Sequence, residues 1–500
     1  MARAGHLLRG FVRDGCARAC YTVGKACAAP VRRRKQGGRA HMEPSAISSL
    51  CKAQRAYFET GAPCAVPARK AALAALERAL KENEAMLLAA LQQDLGKPAA
   101  EGYFSELALV MDEVRHAQKH LCAWARPTRC RTPLSQFPAK SFILHRPKGC
   151  VLIMSPWNYP VLLTLAPLVG ALAAGCCAVV KPSAYAPAVS AALAKLLGGA
   201  FSPRHVAVVC GERSENAALL DEAFDHIFFT GSVGVGRLVM EKAARHLCPV
   251  TLELGGKSPC IVARSADIPL AARRIAFGKF LNAGQTCVAP DYVLCAAGLE
   301  QPLAAALRGA VQGFFGPDAL ALPDYNRIVN EKHFRRLCGL LEGQDIAFGG
   351  RCDESTLRIE PTVLLNVPPE SPVMQEEIFG PILPILTVPD VEGAIRFISA
   401  RPRPLALYLF TRSKADERAV FARCHFGGGC VNDTIIHLAT HEMGFGGVGQ
   451  SGMGSYHGKR SFETFSHEES IVKKALWLDL PFRYRPYTKE KERIIRRVMR

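Results

Sequence analysis

No Cys-x-x-Cys pair and no Cys/His cluster at metal-ligand spacing occurs in these 500 residues, so no metal site is expected. No secretory signal precedes the 19 cysteines, which are scattered and include the neighbours Cys176 and Cys177. A disulfide framework is therefore not expected, and the cysteines read as reduced thiols of a cytosolic-type compartment. No internal repeat or low-complexity block stands out beyond the tails. Nearly half of the residues are hydrophobic, ample for a large core, and the length suggests two or three domains.

Acidic residues are scarce where basic ones are dense. Of the formal charge of +19, residues 1–41 carry +9, with Asp14 their single acid, and residues 483–500 carry +6. The remaining +4 is spread over residues 42–482, too little for a nucleic-acid groove built into the fold. The first 41 residues fit an organelle leader, such as a mitochondrial one, or a disordered arm before a start at Met42. They also fit a polybasic membrane contact in which Cys16, Cys20 and Cys27 carry lipid. The run Lys489 to Arg500 reads as a solvated tail or as a basic amphipathic helix drawn to anionic lipid; Val498-Met-Arg500 is not a prenylation box.

Residues 67–126 have helical spacing and good helix formers. Cys150 to Val180 has no charged residue and is long enough to cross a bilayer. Pro156, Asn158, Pro160 and Pro167 interrupt it, and proline removes hydrogen bonds that a spanning helix needs. The spacing instead predicts a strand at Cys150–Met154, a loop at 155–160, a buried helix at about 164–174 and a strand at Ala178–Val180, a βαβ unit. Strands at Val206–Val209 and His226–Thr230 follow, with a helix opening at Gly231 and running to about Arg245. The pattern restarts at Val250, with a strand from Pro259 and a helix at about 268–281. The fold class expected is α/β, two domains each built on a mostly parallel sheet covered on both faces.

Cys287, in Gly284-Gln-Thr-Cys-Val288, follows a small polar turn where a side chain can face a cleft and the Cys287 amide can point at a carbonyl oxygen. A cysteine taken alone is more often an inert buried residue. Thirty-four residues earlier Glu253 stands between Leu252 and Leu254 and before two glycines. Partial burial would raise its carboxyl pKa and make it a base near neutrality, although an acid beside a glycine pair is as often a turn or cap residue. Asn158 has an amide suited to hold an oxyanion, or an ordinary Asx turn before Pro160. Gly231-Ser232-Val-Gly234-Val-Gly236 is not the G-x-G-x-x-G fingerprint, but it lies between a strand and a helix, where phosphate binds. Lys181 leaves the C-terminal end of a parallel strand and can reach ribose hydroxyls or be plain surface. Glu377 and the glycine-rich run Gly444 to Gly454 fit structural turns equally well.

Together these segments resemble the aldehyde dehydrogenase superfamily, and within it the class 3, 3B-like enzymes. The resemblance spans roughly residues 50–470 through Pro156-Trp-Asn-Tyr-Pro160, Phe228-Phe-Thr-Gly-Ser232, Leu252-Glu-Leu-Gly-Gly256, the Cys287 motif, Glu376-Glu-Ile-Phe-Gly-Pro381 and Ser451-Gly-Met-Gly-Ser-Tyr-His-Gly458. It implies an NAD(P)-binding Rossmann-like domain over 42–251, with 127–146 in a bridging arm, and a catalytic domain over 252–425. A bridging and oligomerisation segment over 426–470 and a basic tail over 471–500 complete the division. It also implies a homodimer and oxidation of hydrophobic aldehydes with NAD or NADP. By the same resemblance Cys287 is the nucleophile, Glu253 the general base and Asn158 an oxyanion donor. Lys181 meets the adenosine ribose, Gly231, Ser232, Gly234 and Gly236 the pyrophosphate, and Glu377 with Phe379 the nicotinamide end. A coenzyme A-acylating relative and a non-catalytic protein on the same fold are the alternatives; the presence of Glu253 argues against the first. Two departures stand out: Ala184 where the family commonly has Glu, which favours tolerance of NADP, and His441-Glu-Met-Gly444 where relatives usually carry Leu-Pro or Val-Pro.

Overall fold

The computed structural model describes residues 42–499 and the strand residues 35–36 and 39–40; the expectations for the rest of the 1–41 segment lie outside the described residues. Helices come first: α1 (Pro44–Glu59), α2 (Val66–Glu82), α3 (Glu84–Leu95) and, led by short helical turns at Ala99–Gly102 and Tyr103–Leu107, α4 (Ala108–Trp124). The leucines and alanines of α2 and α3 recur at helical spacing, and their buried members join one core. Gly96, at φ 65°, supplies the left-handed residue that ends α3.

Strands β1 (Thr128–Cys130) and β2 (Ala139–Pro147) precede the first α/β unit. That unit runs β3 (Cys150–Met154), α5 (Leu162–Ala174), β4 (Cys177–Lys181), α6 (Pro187–Ala200), β5 (Val206–Val208), β6 (His226–Gly231), α7 (Val233–Ala244) and β7 (Val250–Leu254). Both β3 and β4 are buried along their whole length, which is why they read as unbroken apolar runs rather than alternating ones. The second unit contains β8 (Pro259–Val262), α8 (Ile268–Phe280), β9 (Tyr292–Ala296), α9 (Glu331–Gly339), β10 (Asp345–Phe348), β11 (Thr362–Leu365), β12 (Ile382–Val388), β13 (Ala406–Phe410) and β14 (Gly428–Val431). The chain finishes with β15 (Gly452–Met453), β16 (Ser466–Lys474) and α10 (Lys489–Val498).

Three sheets of three or more strands result among the described residues, beside two-stranded pairings at 35–36 with 39–40 and 352–353 with 358–359. The first has the order β15-β7-β6-β3-β4-β5, the second β10-β11-β12-β9-β8-β13-β14, and the third β16-β2-β1. In the first, β3 to β7 are all parallel and the strand order reverses at β3, whose neighbours are β4 and β6. In such a sheet the crevice for a ligand opens beyond the carboxyl ends of the strands on either side of the reversal.

Three readings of the sequence need correction. The boundary expected between residues 251 and 252 falls inside β7, which pairs in parallel with β6 and closes the first sheet instead of opening the second. Segment 426–470 is shared: β14 joins the second sheet, β15 pairs with β7, and the arm itself consists of β1, β2 and β16. Because β16 reaches Lys474, the tail begins after it. The buried helix expected at about 164–174 is present as α5, which runs through Pro167 inside the core, and the turn at 156–161 separates it from β3. No helix among the described residues is long and apolar enough to cross a membrane.

Candidate active site and cofactor crevice

Asn158, Lys181, Ser232 and Glu253 come from four different loops or strand ends, and all stand at the carboxyl edge of the first sheet. Asn158 lies in the loop after β3 and is 2% exposed. Its Nδ2 donates to the Gln285 carbonyl at 3.0 Å, and its own carbonyl accepts from Asn282 Nδ2 at 2.8 Å and from Lys97 Nζ at 3.3 Å. One of the two amide hydrogens is thus committed to the loop that precedes Cys287, leaving the other for a ligand oxygen.

The loop carrying Cys287 is built from unusual backbone. Asn282, Ala283 and Gly284 all have positive φ, at 52°, 50° and 73°. A Cβ on Gly284 would meet the Gly380 carbonyl oxygen at 2.3 Å, so glycine is required there by contact as well as by conformation. Gln285 ties the turn down, donating to the Asn282 and Arg327 carbonyls at 3.1 Å each and accepting from the Val329 amide at 3.0 Å. Such strain, held by surrounding bonds, is usual at sites where a side chain must face a ligand.

The Cys287 thiol is partly exposed and lines a cavity of about 210 Å³. Leu163, Phe277, Leu281, Phe445 and Tyr456 share that lining, so the walls are overwhelmingly apolar. Burial pushes the thiol pKa up, and the negative charges of Glu377 and then Glu253 push it further, so both acids lie within electrostatic reach of the sulfur. Glu253 is 3% exposed, and neither of its carboxyl oxygens has a hydrogen-bond partner. Burial alone raises its pKa well above the carboxylate range. Glu377 has the same character: burial first, then Asp291, brings it up to about 8, and its Oε1 is unpartnered. Its other oxygen crowds Gly255 so closely that a Cβ there would sit 2.0 Å away. Lys257 and Arg336 set this acid in place by bonding the backbone around it, Lys257 Nζ donating to the Val373 and Glu376 carbonyls at 2.9 and 2.8 Å and Arg336 Nη2 to that of Ile378 at 2.5 Å.

On the cofactor side, Ser232 and Gly234 are exposed at the start of α7, and no side chain caps that helix. Its first amides are free to meet an anion. The three glycines divide their work. A Cβ added to Gly234 would have no atom within 4 Å, whereas a Cβ on Gly236 would strike Leu254 at 2.6 Å and one on Gly231 would strike Phe229 at 2.6 Å. Ser232 and Gly234 offer open backbone, while at Gly231 and Gly236 packing also requires glycine. Lys181 is 3% exposed, donates to the Pro182 carbonyl at 2.9 Å and has its pKa lowered by burial. Phe379, at φ 51°, meets the Trp157 ring edge-on at 5.3 Å. An open helix N-terminus, a lysine at the neighbouring strand end and a carboxylate near the sulfur fit a dinucleotide laid across this crevice.

Several contributors are not legible in the sequence. Lys97 and Glu106 form a fully buried ion pair at 2.6 Å beneath Asn158, with Lys97 also 4.1 Å above the Tyr159 ring. Glu106 accepts from the Val161 and Leu162 amides at 2.8 and 3.2 Å, holding the start of α5. Lys279 is fully buried without a hydrogen-bond partner, and burial lowers its pKa to about 8. The acid of Phe104-Ser-Glu106-Leu107, flanked by apolar residues on a helix, is the one available signal. Lys97→Met is expected to leave Glu106 buried and unpaired and to cost about 3–5 kcal/mol of stability, read as a lowered urea midpoint. A midpoint equal to that of the parent protein would remove the pair from this supporting role.

A parallel sheet with an open helix terminus at its carboxyl edge, and a cavity-lining thiol within electrostatic reach of two buried acids, fit a nucleotide-dependent oxidoreductase. Comparison with known proteins is specific. The aldehyde dehydrogenase family model matches residues 24–471. The 4,4'-diaponeurosporen-aldehyde dehydrogenase of Staphylococcus aureus is 46% identical over 435 residues, covering 87% of this chain and 95% of its own length. Bovine aldehyde dehydrogenase family 3 member B1 is 46% identical over 443 residues, covering 88% and 95%. The dimeric NADP-preferring aldehyde dehydrogenase of dog is 44% identical over 446 residues, covering 88% and 98%. A solved structure described as the substrate-bound state of Staphylococcus aureus AldH superposes with a TM-score of 0.89 at 44% identity, covering 91% of this chain and 99% of that one. The chain belongs to the aldehyde dehydrogenase family and is an NAD(P)-dependent enzyme that oxidises aldehydes.

Proposed function

We propose that this enzyme oxidises hydrophobic aldehydes, medium or long aliphatic and aromatic ones, to carboxylic acids through a thiohemiacetal and a thioester on Cys287. One observation carries the reading: Cys287 lines an apolar cavity and lies within electrostatic reach of two buried acids, Glu377 and Glu253, the second without a partner on either oxygen.

The thiol is a neutral group in this setting, since burial and two acids raise its pKa, so a base must take its proton as sulfur adds to the carbonyl carbon. Glu377, its pKa raised to about 8, is the available acceptor, which leaves Glu253 for the hydrolytic step. The oxygen of the resulting thiohemiacetal is held by the spare amide hydrogen of Asn158 and the Cys287 backbone NH. Lys181, Ser232 and Gly234 hold the ribose and pyrophosphate of NAD or NADP, Glu377 and Phe379 its nicotinamide end, and the nicotinamide when bound supplies the acceptor for the two electrons leaving the aldehyde carbon. Glu253 then takes a proton from water, which adds to the thioester and releases the acid. Its missing hydrogen-bond partners leave both oxygens free for that water.

The third sheet supports a homodimer, for Leu134, Val472 and Trp477 lie on or beside it at 80%, 57% and 72% exposed, a surface a second copy would cover. For location, we propose the cytoplasm with peripheral contact to anionic membranes through the basic tails; mitochondrial delivery by residues 1–41 is the alternative. The α10 helix, capped by Thr488, carries half of the basic charge of the C-terminal tail, +3 of +6.

An aldehyde series of increasing chain length, followed with NAD and with NADP, tests the reading. kcat/KM is expected to rise with chain length by roughly threefold to tenfold per pair of methylenes until the cavity is filled. Because Ala184 removes a carboxylate that would repel a 2′-phosphate, NADP is expected to serve within about tenfold of NAD. A preference for the shortest aldehydes would sink the substrate class, and an NAD advantage of a hundredfold or more would sink the role of Ala184.

A further inference from the structure

One cluster of ionisable groups at the cavity takes no part in the chemistry above. Glu113 of α4 is 3% exposed and accepts from the Gly458 amide at 2.7 Å through Oε1. Its Oε2 faces His441 Nδ1 at 2.8 Å and His457 Nδ1 at 3.8 Å. The other ring nitrogen of His441 meets Asp112 Oδ2 at 2.7 Å. One helix thus grips a histidine by both nitrogens, and that histidine lies in the segment whose Ile435, Ile436, Leu438, Ala439 and Phe445 form one wall of the aldehyde cavity. The wall is not at rest by itself. Ile435 has φ 52° and His457 φ 83°, values that non-glycine residues adopt only when something holds them there. With both nitrogens engaged, His441 has no donor left for a substrate, so its effect must be exerted through the wall.

We propose that the Asp112–His441–Glu113 clamp is a positioning device that fixes the bore of the cavity and thereby sets the preference for long aldehydes over short ones. This rests on the reading that the cavity receives the aldehyde. A long aldehyde covers more of this wall than a short one and depends more on it for alignment, so a loosened wall penalises the long one selectively.

The clamp also has a pH signature. Glu113 and then Asp112 hold His441 as the imidazolium, its pKa pushed up to about 9. Burial would raise Glu113, but the hydrogen bond from His441, the nearby His457 and the Gly458 amide outweigh it and hold the carboxyl down to about 2. The histidine's contribution is complete below its ordinary value and is lost as pH rises through about 9. Other ionisable groups face the cluster. His116, its ring 4.7 Å from that of His441, has its pKa lowered by burial and then by His441 and His120. Glu442 adds negative charge beside His116, and Arg460, next to Gly444, is engaged with Glu463 at 2.9 Å.

The test is the ratio of kcat/KM for a long-chain aldehyde to that for a short one, in the dimer-competent full chain, for parent, Glu113→Gln and His441→Gln. Titration of Cys287 and its acids affects both substrates and cancels in the ratio. The ratio is expected to fall about tenfold in either variant, and in the parent to stay level from about pH 6 to 8 and then fall as pH crosses about 9. A general loss of structure would lower both substrates together, and the parent's pH profile needs no variant to fold. A ratio within twofold of the parent's in both variants, or a parent ratio level through about pH 10, overturns the proposal. A parent enzyme that favours short aldehydes at every pH would instead overturn the substrate class, and the variant ratios would still decide the clamp.

Discussion

Cys287→Ala is expected to lower kcat/KM for every aldehyde by at least about 10⁴-fold while leaving coenzyme binding within about twofold. Nothing nearby can replace the sulfur. Thr286 has its hydroxyl engaged with Tyr159 Oη at 2.8 Å, and Cys260 and Cys295 are buried in β8 and β9 of the second sheet. The cavity itself should survive, since alanine removes one atom from a loop held by Gln285, Asn282 and Asn158 rather than by the thiol. Steady-state rates with NAD and a fluorescence titration of the same protein with NADH separate the two effects. Residual activity above about 1% of the parent's would mean that the covalent route is not the one used.

Glu253→Gln is expected to divide the reaction in two. Attack by sulfur and oxidation to the thioester need no activated water, so a burst of about one reduced coenzyme per site should survive, followed by a steady rate lower by about 10²–10⁴-fold. The side chain suits this assignment because it is buried, unpartnered and carries a raised pKa from burial alone, with no cation to hold it ionised. Glutamine keeps the size and removes the basicity, so packing between Leu252 and Leu254 is preserved. Stopped-flow absorbance at 340 nm reads both phases. Full steady turnover in the variant would take Glu253 out of the hydrolytic step, leaving Glu377, which reaches about 8, as the acid to examine next.

Much of this architecture is legible in the sequence. Strands β3, β4, β6 and β8 are short apolar runs bounded by Pro, Gly or charged residues, and their alternation with helices points to a buried parallel sheet. Cys287, Glu253 and Asn158 can be found because each lies in a local motif whose neighbours signal a turn or a strand end. Position within the sheets is less accessible. β7 reads as a new beginning because sequence cannot show that Val250 to Leu254 pairs with β6, and β15 is two residues in a glycine-rich run that resembles a loop. Pro167 breaks less than its residue type suggests, since a helix packed on all sides tolerates the lost bond. Lys97, Glu106, Glu113 and His441 escape because their meaning lies in pairings between segments: nine residues separate the first two, but 328 separate Glu113 from His441. His441 does register as a departure from the resemblance, without any sign that its partners are two carboxylates on α4.

The central claim is that the aldehyde carbon is carried on the sulfur of Cys287. Acid quenching of the Glu253→Gln protein during turnover of a long-chain aldehyde, followed by peptide mass mapping, tests it most directly. The expected result is an acyl mass added to the peptide containing Cys287 and absent when coenzyme is left out. An unmodified Cys287 peptide under conditions where the burst is complete, or an acyl group on another residue, would contradict it.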